Sequence, residues 1–207
     1  RGTVLGYTSY WIANLVVVRA QRAVIEELAQ RVDVEQVEPS FTPVALAPVW
    51  PTTPGEDRDP LLAIGITPGL RALHADRVWY ELDVRGEGAL IAILDTGVDT
   101  GHPDLKENLW FNSGEIPNNG ADDDDNSYAD DCSGYNFVKH NPDVTDRNSH
   151  GTRVTGIIGA VGNNAIGMSG ICRTAQILPL KVFRDNGTGE VSAAIEGMDY
   201  AVAQGAR

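Results

Sequence analysis

Hydrophobic residues near the start of the chain form two short apolar runs with an amphipathic stretch between them. The run 15–18 is β-branched and predicts a strand, and 34–37 predicts a second strand. The stretch 21–31 predicts a helix, because its apolar residues recur on one face. Those residues are Val24, Ile25, Leu28 and Ala29. The pattern indicates half of a small α/β unit, which is too short to bury a core alone.

Prolines dominate the next stretch of the chain, and they show no periodicity. They are Pro39, Pro43, Pro48, Pro51, Pro54 and Pro60. Such a composition predicts an extended, exposed linker, to which we assign residues 39–65.

Beyond the linker, apolar runs predict strands that alternate with helices. A helix is predicted over 70–82. The run 89–94 is almost wholly apolar, which is typical of a strand buried on both faces of a parallel sheet. Residues 134–138 and 177–182 predict two more strands. We expect a local irregularity at Pro179 in the last one, because proline cannot donate a ladder hydrogen bond.

Two further helices are predicted from apolar spacing. One begins near His150, and its apolar face consists of Val154, Ile157, Ile158 and Val161. The other covers 191–204, where Gly205 is a plausible left-handed stop. Its apolar face consists of Ile195, Met198 and Val202. Strands alternating with helices predict an α/β fold with a doubly wound, mainly parallel sheet.

Composition and charge narrow the classes of function. Hydrophobic residues make up 42% of the chain and charged residues 22%, as in a globular protein. The net charge of −13 argues against nucleic acid as a partner, because phosphate binding needs clustered Lys and Arg. No apolar run is long enough to predict a membrane span. The chain starts at Arg1 without Met, so we expect a piece of a longer protein whose export signal lies upstream.

The two cysteines, Cys132 and Cys172, fit neither a zinc pattern nor a redox pair. Their spacing leaves open whether they form a disulfide or remain two buried thiols.

Asp95 directly follows the predicted strand 89–94, in the segment Ile-Leu-Asp-Thr-Gly. Open α/β sheets place their functional sites at the carboxyl ends of strands. A capping or turn aspartate is an equally good interpretation of this residue taken alone. Aspartic proteases also use Asp-Thr-Gly, but they need two such motifs facing each other, whereas the second copy here, at 99–101, follows the first almost directly.

His150 lies in the segment Asn-Ser-His-Gly-Thr, at the predicted start of a helix. Because Gly151 has no side chain, another segment can approach the histidine closely. A histidine in this position can act as a general base. Taken alone, however, a structural histidine is the more common interpretation.

The two segments together resemble the subtilisin-like serine protease family. The matching motifs are Ile-Leu-Asp-Thr-Gly-Val-Asp, then Gly-His-Pro-Asp-Leu, then His-Gly-Thr-x-Val-x-Gly, in that order. The resemblance covers about 66–207, which we expect to be the amino-terminal part of a peptidase domain. It departs from the family at Arg153, where a second histidine is usual, and this residue is not the catalytic one.

The resemblance implies that Asp95 orients His150, and that His150 is the general base toward a serine hydroxyl. It implies a serine endopeptidase that acts on polypeptides through an acyl-enzyme. The sequence lacks the family's Gly-Thr-Ser-Met motif and its oxyanion asparagine. Ser169 and Ser192 do not lie in a nucleophile turn. We therefore expect this chain to be inactive by itself.

Gly187, Thr188 and Gly189 align with the family's substrate-binding strand. Glycines there would let an extended peptide approach as an added strand. A plain surface turn is the alternative interpretation.

Acidic residues are concentrated over 122–131. Alternating oxygen ligands there resemble the start of an EF-hand loop and suit Ca²⁺, although the pattern lacks the usual glycine and final glutamate. The candidate ligands are Asp122, Asp124, Asn126, the carbonyl of Tyr128, and Asp131. A solvated acidic loop without metal is the alternative.

The resemblance implies a second calcium site between Asp104 and the loop 161–168. Asp104 and Asn164 would contribute side-chain oxygens. Val161, Ile166 and Met168 would contribute carbonyl groups.

Residues 1–38 resemble the later part of a subtilisin-type propeptide. Such a propeptide would dock on the catalytic domain of the same protein and inhibit it. An unrelated interaction domain is the alternative. The resemblance also implies a secreted protein, and we expect a monomer.

Two other functions remain as alternatives to the serine endopeptidase. One is a non-catalytic, calcium-stabilised binding module, and the other is a metal-dependent hydrolase that uses Asp95, His102 and His150.

Overall fold

The computed structural model describes residues 4–10, 15–31, 34, 36–37 and 66–206. Near the amino terminus, β1 (Val4–Tyr10) and β2 (Leu15–Ala20) form an antiparallel pair, which is followed by α1 (Arg22–Leu28). The predictions of the strand at 15–18 and of this helix are confirmed. The sequence analysis missed β1. The predicted strand at 34–37 is wrong for the three of its residues that the structure describes, because none of them pairs with another strand. The predicted linker lies outside the described residues.

The predicted helix 70–82 is two helices, α2 (Pro68–Ala72) and α3 (Ala75–Glu81). They are separate because His74 has a positive φ of 55°, which ends regular helical geometry. The two helices share a small apolar cluster, and the Trp79 indole donates to the Ile171 carbonyl at 2.8 Å. This hydrogen bond ties the helix pair to the chain that precedes the last strand.

Three parallel strands form the central sheet, in the order β3–β5–β4. They are β3 (Leu90–Asp95), β4 (Tyr135–Asn136) and β5 (Gln176–Lys181). β3 is only partly buried, contrary to the prediction, because it lies at the edge of this described sheet. The central strand β5 is the deeply buried one.

The predicted irregularity at Pro179 is wrong. β3 and β5 keep one continuous register through that residue. The even-numbered residues of β5 direct their N–H groups toward β3, as Gln176 and Val182 do. Pro179 therefore has its missing N–H on the other side, where pairing to β4 starts only at the next residue. Proline interrupts no ladder hydrogen bond here.

Helices α4 (His150–Gly159) and α5 (Val191–Ala203) pack on opposite faces of the sheet. Gly159 of α4 lies against Ile177, whereas α5 packs with Leu178 and Leu180 in the largest apolar core. Because neighbouring residues of a strand point to opposite faces, the two helices lie on opposite sides. The predicted doubly wound, mainly parallel α/β fold is confirmed.

The predicted apolar faces of these helices are partly wrong. Ile157 is 53% exposed, and Met198 and Val202 are also exposed. The buried residues of α4 are Gly151, Thr155 and Gly159. Those of α5 are Ala193, Ile195, Gly197, Tyr200 and Ala201. Small residues are buried because the helices approach the sheet closely. Gly205, with φ 89°, follows α5 as predicted. Among the described residues, no helix has the length and apolar character needed to cross a bilayer.

Candidate active site

Asp95 is the last residue of β3, so its side chain emerges at the carboxyl end of the sheet. The residue is 7% exposed, and the backbone N–H of Thr96 donates to its Oδ1 at 2.6 Å. Its backbone carbonyl accepts from the N–H groups of Val182 and Phe183, just beyond β5. The sheet therefore holds this carboxylate in one place.

His150 is the first residue of α4, and its imidazole faces Asp95. Its Nδ1 lies 2.8 Å from Oδ1 and 2.9 Å from Oδ2 of the carboxylate. Because a carboxylate only accepts, Nδ1 carries the proton in this contact. Nε2 is then the nitrogen that can take a proton from another group. The structure brings together the two residues that the sequence motifs singled out.

Gly151 explains how the helix comes so close to the strand. A Cβ atom at this position would collide with the carbonyl oxygen of Gly97 and would lie 3.1 Å from the Cβ of Asp95. The residue after the histidine must therefore be glycine for the imidazole to reach the carboxylate. The sequence analysis expected a close approach at Gly151, and the structure identifies the approaching segment.

Asp146 was missed by the sequence analysis. Burial alone would raise the pKa of its carboxyl group. Hydrogen bonds from Thr152 and from the backbone N–H groups of Asn148 and Ser149 outweigh burial and hold the pKa below its ordinary value. The sequence offered one signal for this residue: an acidic side chain four positions before the histidine, where a helix N-terminus favours negative charge.

Residues 187–189 form a turn that folds back on β5. The Arg184 N–H donates to the Thr188 carbonyl at 2.7 Å, and Gly189 forms a bridge with Phe183. A Cβ at Gly189 would lie 2.6 Å from the Val182 carbonyl oxygen. Packing within the chain therefore accounts for this glycine, and the predicted role in substrate binding stays a prediction.

The acidic stretch contains one compact group of carboxylates. One oxygen from each of Glu115, Asp124 and Asp131 lies within 4.8 Å of the others. The side-chain amide of Asn126 donates to both Asp124 and Asp131. Two of the carboxylates are buried, and hard oxygen ligands at this spacing suit Ca²⁺.

The carboxylate group overlaps the predicted ligand set in part, at Asp124 and Asp131, and that ligand set stays a prediction. Glu115 was missed, because it precedes the acidic run and only the fold brings it near. Asp122 is not in the group. Its oxygens accept from the N–H groups of Asn126 and Ser127. The Tyr128 ring packs against Tyr135, Phe137 and Tyr200, and its carbonyl as a ligand stays a prediction.

The group is joined to the core through Tyr200. Its hydroxyl donates to Oδ2 of Asp131 at 2.6 Å. Burial first, and then this bond to the carboxylate, raises the pKa of Tyr200. The acidic loop is thus fixed to α5 rather than lying loose in solvent.

Around Asp104, the structure also assembles the residues of the second expected site. Asp104 is 3% exposed, and its oxygens accept from the Asn164 side-chain amide at 2.7 Å and from the Met168 N–H at 3.0 Å. The Val161 N–H donates to the Asp104 carbonyl, and the Ile166 N–H donates to Oδ1 of Asn164. The Asp104 carboxylate thus faces N–H groups of Asn164 and Met168, and the implied oxygen ligands of this site stay a prediction.

His102 is explained by a turn. Its Nδ1 accepts from the N–H of Asp104 at 3.2 Å. In the part of the chain that the structure describes, the acidic group above is the one with metal-ligand spacing, and it does not include His102. Nothing here favours the metal-dependent hydrolase. Cys132 and Cys172 are both free thiols in this structure.

Comparison with known proteins now places the chain in a family. The model of the subtilase family, peptidase family S8, matches residues 86–207, which is more than half of the chain. The chain therefore belongs to the subtilase family, whose members are serine proteases. The predicted family is confirmed.

Individual relatives agree with this assignment. Thermitase of Thermoactinomyces vulgaris is 34% identical over 67% of this chain and 41% of its own length. Subtilisin-like protease 1 of Plasmodium berghei is 37% identical over 56% of this chain and 20% of its own. The thermophilic serine proteinase of Bacillus sp. strain AK1 is 31% identical over 93% of this chain and 40% of its own. The chain thus spans less than half of these relatives.

Proposed function

We propose that this chain contributes the aspartate and the histidine of a Ser-His-Asp catalytic triad in a serine endopeptidase. The observation that supports the proposal is the contact between His150 Nδ1 and the Asp95 carboxylate at 2.8 and 2.9 Å. The close approach at Gly151 supports it too, because it serves this contact. Membership in the subtilase family supplies the reaction type.

In the proposed mechanism, Asp95 accepts a hydrogen bond from Nδ1–H and so fixes the tautomer of His150. Nε2 then takes the proton from a serine hydroxyl while the serine oxygen attacks the peptide carbonyl carbon. The imidazolium formed lies against the Asp95 carboxylate, which stabilises its charge. His150 next gives the proton to the leaving amine, and water releases the acyl group by the same steps.

Peptidase activity from the complete reading frame that encodes this chain tests the proposal. We expect His150→Ala and Asp95→Asn to abolish most hydrolysis of a fluorogenic peptide, whereas His140→Ala retains it, because His140 lies on an exposed loop. In a related subtilisin, loss of the triad aspartate alone costs about 10⁴-fold in kcat. Full activity of the His150→Ala variant would overturn the proposal.

We also propose that the 207-residue chain does not hydrolyse peptides by itself, because its sequence contains no Gly-Thr-Ser segment. Ser169 is buried, and Ser192 lies within α5. Labelling of the chain by a serine-directed fluorophosphonate probe would contradict this. A complete reading frame without a nucleophile segment would favour the non-catalytic binding module instead.

We infer that extended polypeptide is the substrate and that it pairs with residues 187–189. The turn follows β5 directly, on the segment whose Phe183 N–H donates to the Asp95 carbonyl. A peptide seated there would therefore lie beside the proposed triad.

Calcium is the cation that we propose for the acidic group of Glu115, Asp124 and Asp131. Subtilases commonly bind Ca²⁺, and these carboxylates converge within 4.8 Å. Three carboxylates so close repel one another unless a cation neutralises them. We propose a second Ca²⁺ at Asp104 and Asn164, as the family resemblance implies. Binding there would replace the hydrogen bond between their two side chains.

Residues 1–38 are proposed to be part of a propeptide that inhibits the catalytic domain, in a secreted and monomeric protein. The match to the Bacillus sp. strain AK1 proteinase covers 93% of the chain and so extends well upstream of the family segment. Inhibition of the mature protease by an added 1–65 peptide would support this proposal. No effect at micromolar peptide would count against it.

A further inference from the structure

Asp146 lies where the two segments of the proposed catalytic pair meet. Its Oδ1 accepts from the Thr96 hydroxyl at 3.0 Å and from the N–H groups of Asn148 and Ser149 at 2.9 Å. Its Oδ2 accepts from the N–H of Thr152 at 2.9 Å and from its hydroxyl at 2.7 Å. One half-buried carboxylate thus receives five hydrogen bonds, from residues that immediately follow Asp95 or flank His150.

Thr96 and Thr152 each connect their own segment to the other one, that is, the end of β3 to the start of α4. The Thr96 hydroxyl, next to Asp95, donates to Asp146 and accepts from the N–H of Gly151 in α4 at 3.1 Å. The Thr152 hydroxyl, in α4, donates to Asp146 and accepts from the N–H of Asp99 beyond β3 at 3.0 Å. A hydroxyl has one proton, so donation to Asp146 directs its lone pairs toward these N–H groups.

The residue just before His150 is also held by Asp146. Ser149 has a positive φ of 73°, which is costly for a residue with a side chain. Its N–H donates to Oδ1 of Asp146. The carboxylate therefore stabilises the turn that sets where helix α4, and with it the imidazole, begins.

We propose that Asp146 is a positioning residue for the proposed catalytic pair. It orients Thr96 and Thr152 so that each bonds the opposite segment, and this fixes the distance between His150 Nδ1 and Asp95. The inference rests on the proposed function, since it concerns the same site. Asp146 itself contacts neither the imidazole nor a reacting atom.

Asp146→Asn tests this, with Asp143→Asn as the matched control. Both variants remove one negative charge from the same loop, but the Asp143 carboxylate accepts from Thr145 and Arg147 and from neither of the two segments of the site. In the complete protein labelled with ¹⁵N-histidine, the His150 Nδ1–H resonance reports its hydrogen bond to Asp95. We expect its exchange with water to be at least tenfold faster in Asp146→Asn and unchanged in Asp143→Asn.

Kinetics give a second readout. A misplaced imidazole lowers kcat by about 100-fold with KM little changed, because placement errors of about 1 Å have costs of this order. A merely structural role would lower the melting temperature of Asp146→Asn without changing this resonance or kcat. That result would overturn the inference.

Threonine variants keep the test decisive if Asp146→Asn does not fold. Thr152→Ser keeps the hydroxyl and should retain the slow Nδ1–H exchange, whereas Thr152→Val should lose it. Equal exchange in both variants would overturn the inference. Absence of a protected Nδ1–H in the wild-type protein would instead contradict the Asp95–His150 pair, and thus the proposed function.

Discussion

Lys181, the last residue of β5, is a buried cation beside the proposed catalytic pair. Its side chain is 1% exposed, and its ammonium donates to the Thr96 carbonyl and to Oδ1 of Asp185 at 2.9 Å. This bond to Lys181 is the main reason why the pKa of Asp185 lies below its ordinary value. The ammonium therefore links the backbone after Asp95 to the start of the 187–189 turn.

Lys181→Met should lower the free energy of unfolding by about 1–3 kcal/mol, because the buried Thr96 carbonyl would lose a donor. Asp185 is partly exposed and can turn to water, so its loss adds little. Urea unfolding measures the change, with Lys106→Met, at an exposed lysine, as the control. Equal stability of both variants would show that Lys181 has no such role.

Residues of the proposed active site could be predicted from the sequence where they lie in a recognisable motif. Asp95 and His150 each lie in a short segment whose order and spacing resemble a family, and the fold brings them together as expected. Glu115 and Asp146 have no such segment. The role of Glu115 depends on a loop that returns from elsewhere in the chain, and that of Asp146 depends on its hydrogen bond from Thr96, 50 residues earlier. A linear pattern does not encode either contact.

Secondary-structure elements were predictable where apolar periodicity decides them. The three strands of the central sheet and α5 were found, whereas β1 was missed. The buried face of α4 was not recognised, because Gly151, Thr155 and Gly159 are too small to mark an apolar face. Sequence periodicity identifies large side chains against a core. It misses the buried face of a helix whose backbone itself lies against the sheet.

Two glycines of α4 give a matched prediction for this face. A Cβ at Gly159 would lie 2.6 Å from Cδ1 of Ile177, whereas a Cβ at Gly156 would meet nothing within 4 Å. Gly159→Ala should therefore cost about 1–3 kcal/mol through overpacking. Gly156→Ala should gain about 0.5–1 kcal/mol from helix propensity. Thermal or urea unfolding of both variants measures this, and equal effects would contradict the packing described.

At the scale of the whole molecule, the net charge is −13, so we expect bound cations to stabilise the folded state. Any ligand that binds only the folded state stabilises it, by about 2.7 kcal/mol at about 100 times Kd. The acidic group is fixed to the core through Tyr200, so its neutralisation should stabilise the domain and not only the loop.

Melting temperatures with calcium and with chelator test this prediction. We expect Ca²⁺ to raise the melting temperature of the wild-type protein. Asp124→Asn should raise it in chelator, because it removes repulsion within the group, and should shrink the gain from Ca²⁺. Asp125→Asn makes the same charge change at the next exposed residue, outside the group, and should leave that gain intact. Identical melting with chelator and Ca²⁺ would count against both sites.

The small residues on the buried face of α4 make the site sensitive to a shift of this helix along its axis. Small side chains interlock little with the sheet, and a shift by one residue moves the helix by about 1.5 Å. His150 is the first residue of that helix, and its Nδ1 lies 2.8 Å from Asp95 Oδ1. Hydrogen bonds between nitrogen and oxygen rarely exceed about 3.2 Å. A slip of a single residue would thus disconnect the pair. An inserted residue should be far better tolerated in the loop after Gly159 than in the one before His150.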